Sequence, residues 1–192
     1  MATSCAPQTS TKKKAGRFGV RSMAMCALFA AITAVLSQIV IPIGPVPISL
    51  STLAVFLAGG LLGARDGTFS QLIYLLLGIV GVPVFSGFSG GLGKVAGPTG
   101  GYIIGYVFMA LVIGLLIPHC RNRLRYILPV FVLGLIVCYA FGTVWYIVLT
   151  HTGIGASMMT CVVPFLPGDA AKIALAGVLT VKLSKPVRKL YG

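Results

Sequence analysis

From residue 126 to 149, and again from 100 to 117, the chain carries no charged side chain. Apolar runs of about twenty residues match a helix crossing a hydrocarbon core about 30 Å thick. In hydrocarbon each backbone N–H and C=O must find its partner inside the protein, so few folds remain open to such a chain. Only 9 % of the 192 residues are charged and 57 % are hydrophobic, whereas soluble domains carry about 25 % charged residues. The chain therefore reads as an all-α polytopic membrane protein, one compact helical bundle with little outside the lipid.

Six spans are expected, at about 23–41, 48–64, 68–82, 100–117, 126–149 and 168–183. Pro42 stops the first, and Pro45 and Pro47 keep the following link extended. Arg65, Asp66 and Gly67 read as a turn between the second and third spans. Gly81 and Pro83 close the third. Thr99 is expected to cap the fourth, which Pro118 ends. Trp145 and Tyr146 lie near one end of the fifth, where amphipathic aromatics favour the interface. Residues 84–100 and 150–167 form two long links. Residues 1–21 are polar and then basic with no apolar leader, which predicts a short disordered cytoplasmic arm. Residues 22–185 form the membrane domain, and 186–192 a basic cytoplasmic tail.

The net charge of +13 raises nucleic acid as a partner, but its distribution argues against one. Thirteen of the fifteen cations fall in segments that are cytoplasmic if the N-terminus is inside, as the positive-inside rule requires of six spans with both termini inside. The exceptions are Lys94, in the first long outer link, and Lys172, inside the sixth span. Topology explains neither. The five cysteines show no CxxC spacing, and those within spans, Cys26 and Cys138, read as small buried hydrophobes. Neither a disulfide framework nor a metal site is indicated.

The stretch 85–102, FSGFSGGLGKVAGPTGGY, is too rich in glycine and too broken by proline to face lipid. It must fold against protein or line a wet cavity. Glycine lets backbone N–H groups approach a ligand closely, and Lys94 is either a solvated loop cation or a counter-charge for an anion. Phe85, Ser86, Phe88, Ser89 and Tyr102 are the candidate lining around it. Each aromatic taken singly is as well explained by packing.

Asp169 and Lys172 open the sixth span within PFLPGDAAK and share one helix face at i and i+3. One reading makes Asp169 a helix cap paired with Lys172. The other makes both ligand contacts, because ionisable groups at membrane depth are costly and mark functional sites. A carboxylate beside an ammonium offers an acceptor and donors at one fixed spot, which suits a neutral polar head.

Small residues recur four apart at Ala27/Ala31, Ala30/Ala34, Gly59/Gly63, Gly101/Gly105 and Ala170/Ala174, a spacing that lets helices approach closely. Packing within the bundle accounts for most. The alanine pairs of the first span occupy two adjoining faces, and one of these is a candidate for docking another membrane subunit. Ser37, Gln38, Ser70 and Gln71 are expected to hydrogen-bond between helices, while His119 and His151 read as solvated link residues. No P-loop is present, so ATP hydrolysis is not expected here. Gly87-Phe88-Ser89-Gly90 matches the GxSG of intramembrane serine proteases, with Ser89 as nucleophile and His151 as base. Four residues in a Gly/Ser-rich loop are weak evidence for that enzyme.

Three longer blocks stand in order: IPIGPVPISLSTLAVFLAG at 41–59, GVPVFSGFSGGLGKVAGPTGGY at 81–102 and PFLPGDAAK at 164–172. Over about residues 22–185 the chain resembles BioY, the family of biotin-binding S-components of energy-coupling-factor vitamin transporters. The resemblance implies a six-helix protein of a bacterial or archaeal plasma membrane, not an enzyme, that captures biotin from outside. It implies no cofactor, with biotin as the transported ligand. It also implies as partners a transmembrane coupling subunit and a pair of ABC-type ATPases. Asp169 and Lys172 match the pair that contacts the ureido ring, Lys94 the basic residue near the valerate carboxylate, and Ala27/Ala31 with Ala30/Ala34 the docking face. An S-component for another small vitamin is the alternative, with the same fold and different outer links.

Overall fold

A computed structural model of the chain describes residues 19–41, 48–120 and 123–191. The arm at 1–18, and with it Cys5 and four of the expected cytoplasmic cations, lies outside them. The described chain is a helical bundle. Helix α1 spans Val20–Ser37, α2 Ser51–Val80, α3 Leu92–Ala96 and α4 Gly100–Leu116. A 3-10 turn at Ile117–Cys120 leads toward α5, Leu124–Thr150. Helix α6 spans Ile154–Cys161, and a second 3-10 turn, Val163–Phe165, enters α7, Leu166–Tyr191. Four segments are long and apolar enough to cross a membrane: Val20–Ser37, Gly100–Cys120, Leu124–Thr150 and Ile154–Val187.

Helix α2 covers the second and third expected spans, and the break between them differs from the expected one. It falls at Gly63, with φ 84° and ψ −173°, backbone that essentially only glycine adopts. Arg65, Asp66 and Gly67, read as a turn from composition, lie instead in the first turn of the returning helix. There Asp66 is buried and accepts from Ser22 Oγ of α1, a carboxylate placed where the helix dipole favours it. A Cβ on Gly114 of α4 would run into the Ala64 backbone, so α4 packs tightly onto this bend.

Two further boundaries shift. Residues 38–41, expected as the end of the first span, leave the helix, and Val40–Ile41 pairs antiparallel with Ile48–Ser49 in a short ribbon, β1 and β2. The cause is local: β-branched residues precede Pro42, which disfavours helical backbone before it. Helix α7 also continues past 183 to Tyr191, through Pro186.

The closest packing joins α2 to α4, α4 to α5 and α1 to α2, with α7 closing against α2 and α5. Glycines allow it. Gly59 meets Ile113 of α4, and Gly101 and Gly105 meet Trp145 and Cys138 of α5, so Gly59 and the Gly101/Gly105 pair are packing features. On α1 the structure separates the two alanine faces. Ala30 is 2 % exposed within the core and Ala34 packs against it, whereas Ala27 and Ala31 are exposed. Gln71 donates from α2 to Thr33 of α1 at 3.2 Å, so its expected interhelical role is met, whereas Ser37 donates to the Val84 carbonyl in the segment after α2.

Candidate functional site

At the end of the bundle where α7 begins, a cavity is lined by residues from α2, α4, α5, α7 and the 81–99 segment. Its most polar part is built on Lys172. The three N–H groups of the ammonium meet Asp169 Oδ1 at 2.8 Å, the Ser49 carbonyl at 2.7 Å and Thr52 Oγ1 at 3.2 Å. Asp169 also accepts from Thr52 Oγ1 at 3.4 Å and, on its other oxygen, from the Tyr139 hydroxyl. Asp169 is 1 % exposed and Lys172 7 %. An ion pair this desolvated persists only when its remaining donors and acceptors are matched, and here they are. Capping is not the role of the Asp169 side chain, because its oxygens point at side chains of α2, α5 and its own helix rather than at backbone N–H groups.

The network reaches further through hydroxyls. Ser49 Oγ bonds Ser51 Oγ, which in turn bonds the Tyr106 hydroxyl at 2.7 Å. The ribbon places Ser49 here. Its partner strand follows α1, and the start of α2 carries Ser51 and Thr52 close behind it.

The rest of the wall is largely aromatic: Tyr74, Phe85, Tyr102, Tyr106, Tyr139 and Phe165. Phe85 seats on Gly78, where any Cβ would collide with its ring, and Tyr74 meets it edge-on with centroids 5.6 Å apart. Tyr102 and Phe165 lie nearly parallel at 6.5 Å. Ser86, Lys94 and Thr99 complete the glycine-rich side. Among the described residues the Lys94 ammonium has neither a hydrogen-bond nor an ion-pair partner.

Of the residues expected from the sequence, Asp169, Lys172, Lys94, Phe85, Ser86 and Tyr102 therefore share one cavity. Phe88 and Ser89 do not. Phe88 is 74 % exposed at the tip of a small hairpin closed by Phe85 and Ser89, and its N–H donates to Gln38 Oε1 at 2.8 Å. Ser89 Oγ donates to the Ser86 carbonyl at 2.8 Å, which gives the GxSG motif a turn-closing role and no histidine acceptor. His151 ends α5 in left-handed backbone and is exposed. Trp145 Nε1 donates to the Gly97 carbonyl at 3.1 Å, tying the glycine-rich segment to α5. Ser49, Thr52, Tyr74, Tyr106 and Tyr139 were not singled out by sequence. For the tyrosines the signal was a phenol within an apolar span, whose hydroxyl needs a buried partner.

Comparison with known proteins agrees with this architecture. The BioY family profile matches residues 8–189. A probable biotin transporter BioY of Pyrococcus horikoshii is 39 % identical over 163 residues, 85 % of this chain and 96 % of that protein. The biotin transporter BioY of Thermotoga maritima is 36 % identical over 166 residues, 86 % and 97 % of the two chains. The crystal structure of an S-component for biotin from an ECF-type ABC transporter superposes with a TM-score of 0.81 at 32 % identity, covering 86 % of this chain and 92 % of that one. With the three sequence blocks brought to one cavity and both sequence and fold matched over most of their length, the chain belongs to the BioY family.

Proposed function

We propose that this chain is the substrate-binding membrane subunit of a biotin uptake system, capturing biotin at the outer face and relying on a separate ATPase module for transport. The observation that carries the proposal is the desolvated Asp169–Lys172 pair inside an aromatic-walled cavity. Biotin offers two ureido N–H groups, a ureido carbonyl, an apolar thioether ring and a carboxylate. Asp169 accepts from the ureido N–H groups, Lys172 donates to the carbonyl, the aromatics cover the ring system, and Lys94 meets the carboxylate. The names of the relatives, and the biotin S-component among solved structures, support the choice of ligand.

The interior that a water molecule's centre can reach measures about 40 Å³, space for a few waters. On this reading a wall moves as biotin enters. The 81–99 segment is the candidate lid, with Gly81, Gly87 and Gly91 in left-handed backbone at its bends, as in other loops that close over ligands.

Among the described residues Arg21 opens α1, Arg65 follows the bend of α2, Arg123 and Arg125 open α5, and Lys182 and Lys185 fall in the C-terminal half of α7; none lines the cavity, which supports cytoplasmic termini and an outward-facing site. The exposed Ala27/Ala31 face is the proposed dock for a transmembrane coupling subunit bearing ABC-type ATPases. No cofactor or catalytic step enters the scheme. Equilibrium titration of the purified protein with biotin and with other vitamins tests it. Biotin is expected to bind tightest, and tighter binding of another vitamin would overturn the assignment.

A further inference from the structure

Four buried side-chain polar atoms among the described residues lack any hydrogen-bond partner: Gln71 Oε1, Thr99 Oγ1, Thr143 Oγ1 and Thr180 Oγ1. Three have an ordinary setting. Gln71 already bonds through its amide nitrogen, and Thr143 and Thr180 lie within helices, where a small rotation offers the carbonyl one turn back. Thr99 differs on both counts. It stands in the turn before α4, and of the four it is the one that lines the cavity.

Its backbone explains why the hydroxyl is unused. A side-chain N-cap needs extended backbone at the cap residue, whereas Thr99 has φ −89° and ψ −9° and makes no side-chain cap bond. The expected capping role is therefore absent. A buried hydroxyl without a partner costs stability, and the Lys94 side chain, partly exposed on the same side of the cavity, makes no bond to protein among the described residues. The α7 side presents the opposite picture, with every Lys172 donor matched.

We infer that Thr99 is a specificity-determining ligand contact, its hydroxyl donating to a carboxylate oxygen of the bound molecule beside the Lys94 ammonium. The inference rests on the biotin reading above and deepens it. The neutral ring head belongs at the satisfied Asp169–Lys172 network, and the acid end at the unsatisfied Thr99 hydroxyl and the Lys94 ammonium on its side. A hydroxyl and an ammonium held on the same lid segment recognise an anion only when that segment is closed, so the acid group helps to hold the lid shut.

The test compares wild type, Thr99→Val and Thr99→Ser for binding of biotin and of a biotin analogue whose side chain ends in a methyl group. Thr99→Val removes the hydroxyl at nearly constant volume. It should weaken biotin binding about ten- to a hundred-fold, as expected for a lost bond to a charged group, and leave binding of the methyl-ended analogue unchanged. Thr99→Ser should restore most of the affinity. The unfolding temperature of ligand-free Thr99→Val should equal or exceed that of wild type, which a structural cap would not permit. Unchanged biotin affinity, or equal loss for both ligands, would overturn the inference. A wild-type protein that does not bind biotin would overturn the functional reading beneath it.

Discussion

Lys172 has three donors and each already meets an oxygen, so under the proposed function a ligand carbonyl would replace one of them rather than add to them. The Thr52 bond, the longest of the three at 3.2 Å, is the natural one to yield. Asp169 is held from the other side by Tyr139, which fixes where its oxygens point. Removing that phenol deprives a buried carboxylate of a donor. Tyr139→Phe should lower the unfolding free energy of the ligand-free protein by about 1.5–3 kcal/mol, measured by thermal or chemical unfolding in detergent. An unchanged stability would mean that this bond contributes nothing. At this scale the sequence was half legible. Asp169 and Lys172 stand out because charge in an apolar span has no bland explanation. Ser49, Thr52 and Tyr139 do not, because single hydroxyls in apolar runs are common and only the crossing of α2, α5 and α7 brings them together.

Helix α1 carries two alanine faces with opposite surroundings, and spacing alone could not separate them. The packing of α2 does, burying Ala30 and leaving Ala27 and Ala31 open. Ala30→Leu should overpack the core and cost about 1–3 kcal/mol of stability. Ala31→Leu should leave stability and biotin affinity unchanged while depressing uptake in cells that supply the coupling subunits. Uptake that survives Ala31→Leu would remove this face from the docking surface. Element boundaries were the less legible part. The cluster Arg65-Asp66-Gly67 has the composition of a turn, yet Gly63 makes the bend, because α4 presses against the backbone there and only glycine accepts the resulting φ. The ribbon of Val40–Ile41 and Ile48–Ser49 hid inside apolar runs whose length resembled helix.

At the scale of the molecule, the described cations assigned to the cytoplasmic side, Arg21, Arg65, Arg123, Arg125, Lys182 and Lys185, are absent from the cavity lining. The two lysines that topology left unexplained, Lys94 and Lys172, line the same cavity. The glycine-rich segment contributes Phe85, Ser86, Lys94 and Thr99 to its wall, and is pinned by Gln38 and Trp145. In the proposed scheme it serves as the cover, and the more specific polar contacts are assigned to the start of α7. The fold was legible in the sequence because lipid permits so few backbone arrangements; the site was legible where charge had to be buried.

Equilibrium binding of biotin to the purified wild type and to Asp169→Asn tests the central claim most directly. The asparagine keeps the volume and one acceptor but removes the charge that strengthens bonds from the ureido N–H groups. The account predicts a folded, monodisperse variant whose dissociation constant rises about ten- to a hundred-fold. A folded Asp169→Asn protein that binds biotin as tightly as wild type would contradict it.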